Sequence, residues 1–345
     1  MKIIIEKNIP FIAGLLDSVA RVDYLPPEEI TAETMRAADA LVTRTRTRCN
    51  ASLLDGSRCR FIATATIGTD HIDLAYCREH GITVANAPGC NAPAVAQYVL
   101  ASVLTWADAR GRIVAPGEGI LPLSGLTMAV VGVGHVGSIV ASWAEGLGMR
   151  VLRVDPPRAA AEGPEGFSTL DDAARDADVI TFHTPLLRSG AHPTFHMADM
   201  RFFDSLRRSP LIINSARGPV VDNAALVEAL DAGKVADAVV DCWEGEPAIS
   251  PALLSRAFIA TPHIAGYSRE GKIRATAMAL DALTRHVSLP AVAPSETVGF
   301  DTPLHPSATS ILASYDPLAD TAALRSAPAA FEQLRNRYHY RPEVR

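Results

Sequence analysis

The sequence predicts an α/β protein of two doubly wound parallel sheets, a smaller domain followed by a larger one, with a short C-terminal extension. Three observations carry this. Short strand-like runs alternate with helical runs along most of the chain, the pattern of a parallel sheet covered by helices. Residues 111–125, GRIVAPGEGILPLSG, break the alternation with glycine and proline, as a connection between domains does. Immediately afterwards, residues 126–137 read LTMAVVGVGHVG, an apolar strand running straight into a glycine turn and a helical pattern.

The elements follow in order. Residues 1–100 carry the runs KIIIE, ADALVTR, FIATATIG and ITVANA, enough for a small sheet. A continuous helical run over 94–109 leads into the connection. Six further strands are then predicted, AVVGVG, RVLRVD, DVITFH, LIINSA, VADAVVDCW and FIATPH, with helices between most of them. A helix over 272–286 returns toward the first domain. Beyond Ser288 the composition shifts to Pro, Ala, Ser and Thr before a final FEQLRNRYHYRPEVR. The expected domains are therefore 1–100 with 266–287, 101–265, and an extension over 288–345.

The glycine turn is the most informative motif. Gly132, Gly134 and Gly137 would let the backbone approach a pyrophosphate at a helix N-terminus, where amide groups and the dipole favour negative charge. His135 and Val136 sit in the same turn and count among the predicted cofactor contacts. Asp155 lies 18 positions beyond Gly137, at the end of the next strand, where a carboxylate accepts hydrogen bonds from both ribose hydroxyls and repels a 2′-phosphate. The expected cofactor is NAD rather than NADP, with nearby Arg158 working against that preference.

Composition narrows the function further. The chain has 345 residues, 48% hydrophobic and 20% charged, so it can bury large cores. A formal net charge of −6 argues against nucleic acid as a partner, whose binding needs a broad basic surface. Any anionic ligand must then be held by local arginines. The five cysteines are scattered and show no C-x-x-C spacing, which suits buried thiols in a reducing compartment and no metal. No apolar run approaches the length of a membrane span, so the expected location is the cytoplasm.

Three polar residues stand at or just beyond the ends of the later strands: Arg217 after LIINSA, Glu246 after VADAVVDCW, and His263 closing FIATPH. Strand ends of an open α/β sheet line its ligand crevice, so residues distant in sequence can converge there. Oxidation of a carbinol requires proton removal from oxygen as hydride leaves carbon, and histidine titrates near neutral pH. His263 is the expected proton acceptor, Glu246 its carboxylate partner, and Arg217 the group that holds a substrate carboxylate with its planar fork. His71, His80, His183 and His196 have no comparable set in the sequence.

NSARGPVVDNAALVEAL, DCWEGEP and TPHIAGYSREGK resemble the signature blocks of the D-isomer-specific 2-hydroxyacid dehydrogenases, and the likeness runs over about residues 1–287. TATIGTDHID, APGCNAPAVAQYV, VDPPRA and FHTPL are more narrowly similar to the branch acting on 4-phosphoerythronate in vitamin B6 biosynthesis. The resemblance implies a Rossmann-type NAD domain, a flavodoxin-like substrate domain and oxidation of 4-phospho-D-erythronate. It implies Thr184, Ala216, Asp241 and Gly266, beside Asp155, as NAD contacts, and Thr45, Thr66 and Tyr267 as substrate contacts. It also implies a homodimer formed through the C-terminal extension, of which FEQLRNRY resembles a part although the segment looks shortened. Gln97 departs from relatives that carry a carboxylate near that position.

A phosphorylated substrate draws attention to residues 44–48, RTRTR, after the strand ADALVT. In an extended conformation the three arginines would share one face and could offer charge-assisted hydrogen bonds to a phosphate. Arg44 and Thr45, nearest the strand end, are the expected contacts.

Overall fold

The computed structural model describes residues 1–113, 121–300, 303 and 305–344. Most of the predicted interdomain connection, residues 114–120, lies outside the described residues. The chain divides into two compact units, Met1–Asn91 with Ser268–Asp301, and Ala92–Tyr267 with Thr302–Arg345.

In the first unit, five parallel strands, β1 (Lys2–Glu6), β2 (Arg21–Leu25), β3 (Ala40–Thr43), β4 (Phe61–Thr64) and β5 (Thr83–Ala85), lie in the order β2-β1-β3-β4-β5. This is the flavodoxin-like order. Ile3, Ile5, Val42, Phe61 and Ala63 pack on one face against Ala275, Ala279, Leu280 and Leu283 of the helix Arg269–His286. That helix begins one turn earlier than the sequence suggests, because Ser268 accepts a hydrogen bond from the Gly271 amide and caps it. Strand β2 has no counterpart among the predicted strands. It is half-exposed at the sheet edge, so RVDYL carries no buried apolar run to betray it.

The second unit has six parallel strands, β6 (Thr127–Val131), β7 (Arg150–Val154), β8 (Val179–Phe182), β9 (Leu211–Asn214), β10 (Asp237–Val240) and β11 (Ile259–Ala260), in the order β11-β10-β9-β8-β6-β7. All six coincide with the predicted runs. The third strand expected on the β7 side in the classic dinucleotide order is reduced to one hydrogen bond, from the Ser168 amide to the Arg153 carbonyl at 2.7 Å. Gly163, Pro164 and Gly166 precede it and leave no room for a longer ladder.

The boundaries differ from those expected, and packing explains why. The helix Ala92–Ala109 buries Tyr98, Val99 and Trp106 with Met128, Val140 and Trp143, so it belongs wholly to the second unit. The C-terminal extension is not a separate body. Residues up to 301 join the first unit, while Ile311, Tyr315 and Val344 complete one core of the second and Leu324 and Phe331 complete the other.

Candidate active site

The glycine turn forms a cradle whose three glycines have different causes. Gly132 has φ +88°, and a Cβ there would lie 2.9 Å from the His183 carbonyl. A Cβ at Gly137 would lie 2.0 Å from the Gly132 oxygen. The turn itself therefore requires both. A Cβ at Gly134 would meet nothing within 4 Å, so nothing in the protein demands a glycine there. That open backbone stands at the N-terminus of the helix His135–Gly146, beside exposed His135 and half-buried Val136, where a pyrophosphate would gain both amides and dipole. Two buried hydroxyls in the strand-end loops of the same unit, Thr184 Oγ1 and Ser215 Oγ, have no hydrogen-bond partner among the described residues. A dinucleotide would supply partners for such orphaned groups, so the residues present fit NAD. Ser215, next to buried Ala216, is absent from the predicted contacts; its position after β9 is the only sequence signal it offers.

Asp155 follows β7. Its Oδ2 accepts the Val133 amide at 2.8 Å and its Oδ1 accepts the Arg158 amide at 3.1 Å, so it joins the glycine turn to the next helix. Arg158 is occupied elsewhere. Its guanidinium donates to the Val133 carbonyl at 2.6 Å and pairs with Glu162 at 2.7 Å. The cation that could attract a 2′-phosphate is already matched by a carboxylate.

Glu246 and His263 meet directly. The imidazole Nδ1 lies 2.9 Å from Glu246 Oε2 and 3.2 Å from Oε1, while Oε1 also accepts the Trp243 amide at 2.8 Å. Burial works against ionisation of Glu246. The His263 charge and hydrogen bond, the Trp243 amide and the Arg335 charge outweigh it and hold the carboxyl below its ordinary value. Arg217 stands where β9 gives way to the turn Gly218–Val220, and its Nη1 donates to the Ala216 carbonyl at 2.9 Å. Asn214 shapes that turn by donating to the carbonyls of Arg217, Gly218 and Cys242, and a side chain at Gly218 would strike the Trp243 carbonyl at 2.0 Å.

The loop carrying His263 is held in a strained conformation. His263 has φ +56°, a left-handed backbone that costs a non-glycine residue about 1 to 3 kcal/mol and persists only where its surroundings impose it. Buried Asp241 imposes it from below: its carboxylate accepts the Ile264 and Ala265 amides at 2.7 and 3.0 Å and the Thr261 hydroxyl at 2.6 Å. Arg341, buried in the C-terminal extension, holds the same loop from its carbonyls. It donates to Ile264 at 3.2 Å, to Tyr267 at 3.4 Å and to Ala265, and also to Ala94 at 3.1 Å. Gln97 steadies this arginine by accepting its Nε at 3.1 Å, while donating to Ser314 and to the Pro342 carbonyl. An amide can do both and a carboxylate cannot, which gives the unusual Gln97 a physical reason. Gly266 and Tyr267 close the loop, with the Tyr267 amide donating to Ile264 at 2.8 Å.

The first unit presents its predicted contacts at the ends of two paired strands, where Thr43 of β3 lies opposite Thr64 of β4. The RTRTR segment is not extended. It turns directly after Arg44, so the alternating residues do not place three arginines on one face. Buried Glu6 drives the turn: its Oε2 accepts the Arg44 amide at 3.0 Å and the hydroxyls of Thr43 and Thr47 at 3.0 and 3.1 Å. Arg44 donates through Nη1 to the Asn8 carbonyl at 3.1 Å, and Thr45 is exposed. Thr66 shares a hydrogen bond with Thr64 at 2.7 Å and donates to the Gly68 carbonyl at 3.1 Å.

Residues 106–265 match the model of the NAD-binding domain of D-isomer-specific 2-hydroxyacid dehydrogenases. An erythronate-4-phosphate dehydrogenase of Bacteroides thetaiotaomicron is 46% identical over 99% of this chain and 97% of its own length. The chain belongs to the erythronate-4-phosphate dehydrogenase family. A member from Salmonella schwarzengrund is 42% identical over 99% of this chain and 92% of its own. The fold is also that of D-lactate dehydrogenase from Aquifex aeolicus, solved with NAD and lactic acid, with a TM-score of 0.68, 25% identity, and coverage of 84% of this chain and 96% of that one. The protein is an NAD-dependent dehydrogenase of the 2-hydroxyacid family.

Two clusters in this family member bring together groups able to ligate metals. Cys242, Glu246 and His263 place ligand atoms within 4.8 Å of one another. Burial pushes the Cys242 thiol well up, and its S–H faces the Ala216 carbonyl at 3.4 Å, so it is a neutral thiol rather than a thiolate ligand. The second cluster corrects the sequence reading of His196. That histidine does have carboxylate partners, Glu244 at 2.7 Å and Asp222 at 3.5 Å, and Glu244 also accepts the Asn223 amide. The chain-distant Glu244 and Asp222 gave no sign of this in their spacing.

Proposed function

We propose that the protein oxidises 4-phospho-D-erythronate at C2 to 2-oxo-3-hydroxy-4-phosphobutanoate, in the formation of pyridoxal 5′-phosphate. The observation that carries this reading is the His263–Glu246 pair, on a strained loop held by Asp241 and Arg341, in a chain similar over nearly its full length to erythronate-4-phosphate dehydrogenases. NAD bound there would supply the acceptor for the hydride leaving C2. His263 takes the C2 hydroxyl proton at Nε2, because Glu246 holds Nδ1 and fixes the tautomer. Glu246 stabilises the resulting imidazolium, and Arg217 holds the carboxylate and polarises the C2 oxygen.

For the cofactor we assign Gly132, Gly134, His135, Val136 and Gly137 to the pyrophosphate, Asp155 to the ribose, and Thr184, Ala216, Asp241 and Gly266 to the remainder. Asp241 has a second duty as the anchor of the His263 loop. For the substrate we assign Arg44, Thr45, Thr66 and Tyr267, with Arg44 and Thr45 toward the phosphate. The phosphate assignment rests on the family and on the turn that Glu6 imposes, since the shared-face argument fails.

The test is turnover with NAD across phosphorylated and unphosphorylated 2-hydroxy acids, including erythronate, glycerate and 3-phosphoglycerate. Preference for 4-phosphoerythronate is expected; a higher kcat/KM for 3-phosphoglycerate or glycerate would overturn the reading. No described helix is long and apolar enough to cross a membrane, and all five cysteines are buried and outside any disulfide, in keeping with a cytoplasmic enzyme. Leu312 and Leu318 of the extension are 43% and 44% exposed and suit a homodimer contact, which sedimentation of wild type against a Leu312→Asp, Leu318→Asp variant would test.

A further inference from the structure

The C-terminal extension does more than clamp the catalytic loop. Its helix Phe331–Asn336 is seated by fully buried Phe331 and by Leu334, which fixes where the following Arg335 emerges. The Arg335 side chain is only 18% exposed, yet its donors are sparingly used. Nε donates to the Tyr267 hydroxyl at 3.2 Å, and Nη1 lies 3.6 Å from Glu332, beyond a proper hydrogen bond. Among the described residues its two terminal nitrogens donate no hydrogen bond. An arginine this covered ordinarily spends its fork on a carboxylate or carbonyls, as Arg341 does six residues later.

Arg335 also stands close to the reacting groups. Its charge, like that of Arg217, acts on the Cys242 thiol, and it helps keep Glu246 ionised. Two guanidinium charges thus act on the Cys242 thiol, whose sulfur lies within 4.8 Å of the ligand atoms of Glu246 and His263, Arg217 from the end of β9 and Arg335 from the extension. A substrate with one anionic group would need only the first. A four-carbon substrate with a carboxylate at one end and a phosphate at the other has a use for both.

We propose that Arg335, with the Tyr267 hydroxyl it holds, is a specificity-determining residue that binds the phosphate of the substrate. The extension then selects the phosphorylated acid with residues of the second unit alone. The inference rests on the function proposed above and deepens it.

The experiment compares wild type with Arg335→Gln and Arg335→Lys, using 4-phosphoerythronate and erythronate with NAD, and measures inorganic phosphate as an inhibitor competing with erythronate. For Arg335→Gln, kcat/KM on the phosphorylated substrate should fall about 10 to 100-fold, mostly through KM, because a charge-assisted hydrogen bond is lost. The loss on erythronate should be no more than about threefold, phosphate inhibition should weaken, and Arg335→Lys should recover part of the loss. NADH binding and thermal unfolding, followed in parallel, establish that both variants are folded. If Arg335→Gln does not fold, the lysine variant decides by the same ratio. Equal losses on both substrates, with a displaced pH profile, would show that Arg335 only positions Tyr267 and Glu246, and overturn the proposal; so would unchanged kinetics. A wild type indifferent to the phosphate would instead sink the functional reading itself.

Discussion

The two units carry their chemistry in opposite ways. In the second, Glu246 is tied to His263 and to the Trp243 amide, and the loop beyond His263 is gripped by Asp241 on its amides and Arg341 on its carbonyls. Little there is left to rearrange. In the first, Glu6 shapes the turn after β3 from within, but Thr45 and Arg46 at its tip are exposed and Arg44 is fastened to the protein by a backbone carbonyl of Asn8. A proton-transfer pair must be correct to a fraction of an ångström, so its geometry is fixed in advance. Binding a phosphate tolerates more adjustment, because charge and several equivalent oxygens are what is read.

The sharpest way to break that comparison is to remove the proton acceptor. His263→Asn should lower kcat by about 10² to 10⁴-fold with NADH affinity nearly unchanged, as measured by steady-state turnover and NADH fluorescence titration. Near wild-type rates would mean that the rigid loop serves only the fold. Glu246→Gln is expected to act less severely and to leave a directional mark. The carboxylate that stabilises the imidazolium is gone, so the ascending limb of oxidation against pH should move to lower pH; a move to higher pH contradicts the pairing. In the wild type the sign is consistent. Glu246 lies below its ordinary value, so the stabilisation it brings is present at neutral pH and is lost as pH falls through that lowered value.

The first unit answers to a different measurement. Arg44→Ala should reduce kcat/KM for 4-phosphoerythronate by about 10 to 150-fold, the worth of about 1.5 to 3 kcal/mol, and leave erythronate almost unaffected. Equal losses on both would assign Arg44, through its bond to Asn8, to holding the strand ends together.

What could be read in the sequence divides along the same line. All six strands of the second unit and the glycine turn are legible because five of those strands are fully buried apolar runs, and the positions of Arg217, Glu246 and His263 at or beyond strand ends could be read from the same runs. The parts that were not legible depend on contacts distant in sequence. Nothing near Arg341 or Arg335 announces that they reach the His263 loop and Tyr267, or near Gln97 that it holds Arg341, since these bonds span between 68 and 247 positions. The RTRTR turn was hidden for a related reason: an alternating pattern reads as extended, and the residue that bends it, Glu6, is 38 positions upstream of Arg44. Edge strand β2 lacked a buried face altogether.

The smallest expected effect sharpens the account of the second unit by testing a charge that is also structural. Asp155 both caps the helix Pro156–Glu162 and fixes the Val133 amide, so Asp155→Ala loses some stability, about 1 kcal/mol for the cap, whatever the cofactor. Affinity for NAD alone would therefore mix two causes. The ratio of kcat/KM with NAD to that with NADP separates them, because a loosened turn penalises both dinucleotides while only the 2′-phosphate feels the removed negative charge. That ratio should fall about tenfold. Arg158 limits the gain for NADP, being committed to Glu162 and to the Val133 carbonyl, and adding Glu162→Ala to Asp155→Ala should free its guanidinium and lower the ratio further. An unchanged ratio in both variants would place the discrimination outside the end of β7 and leave Asp155 with its structural duty only.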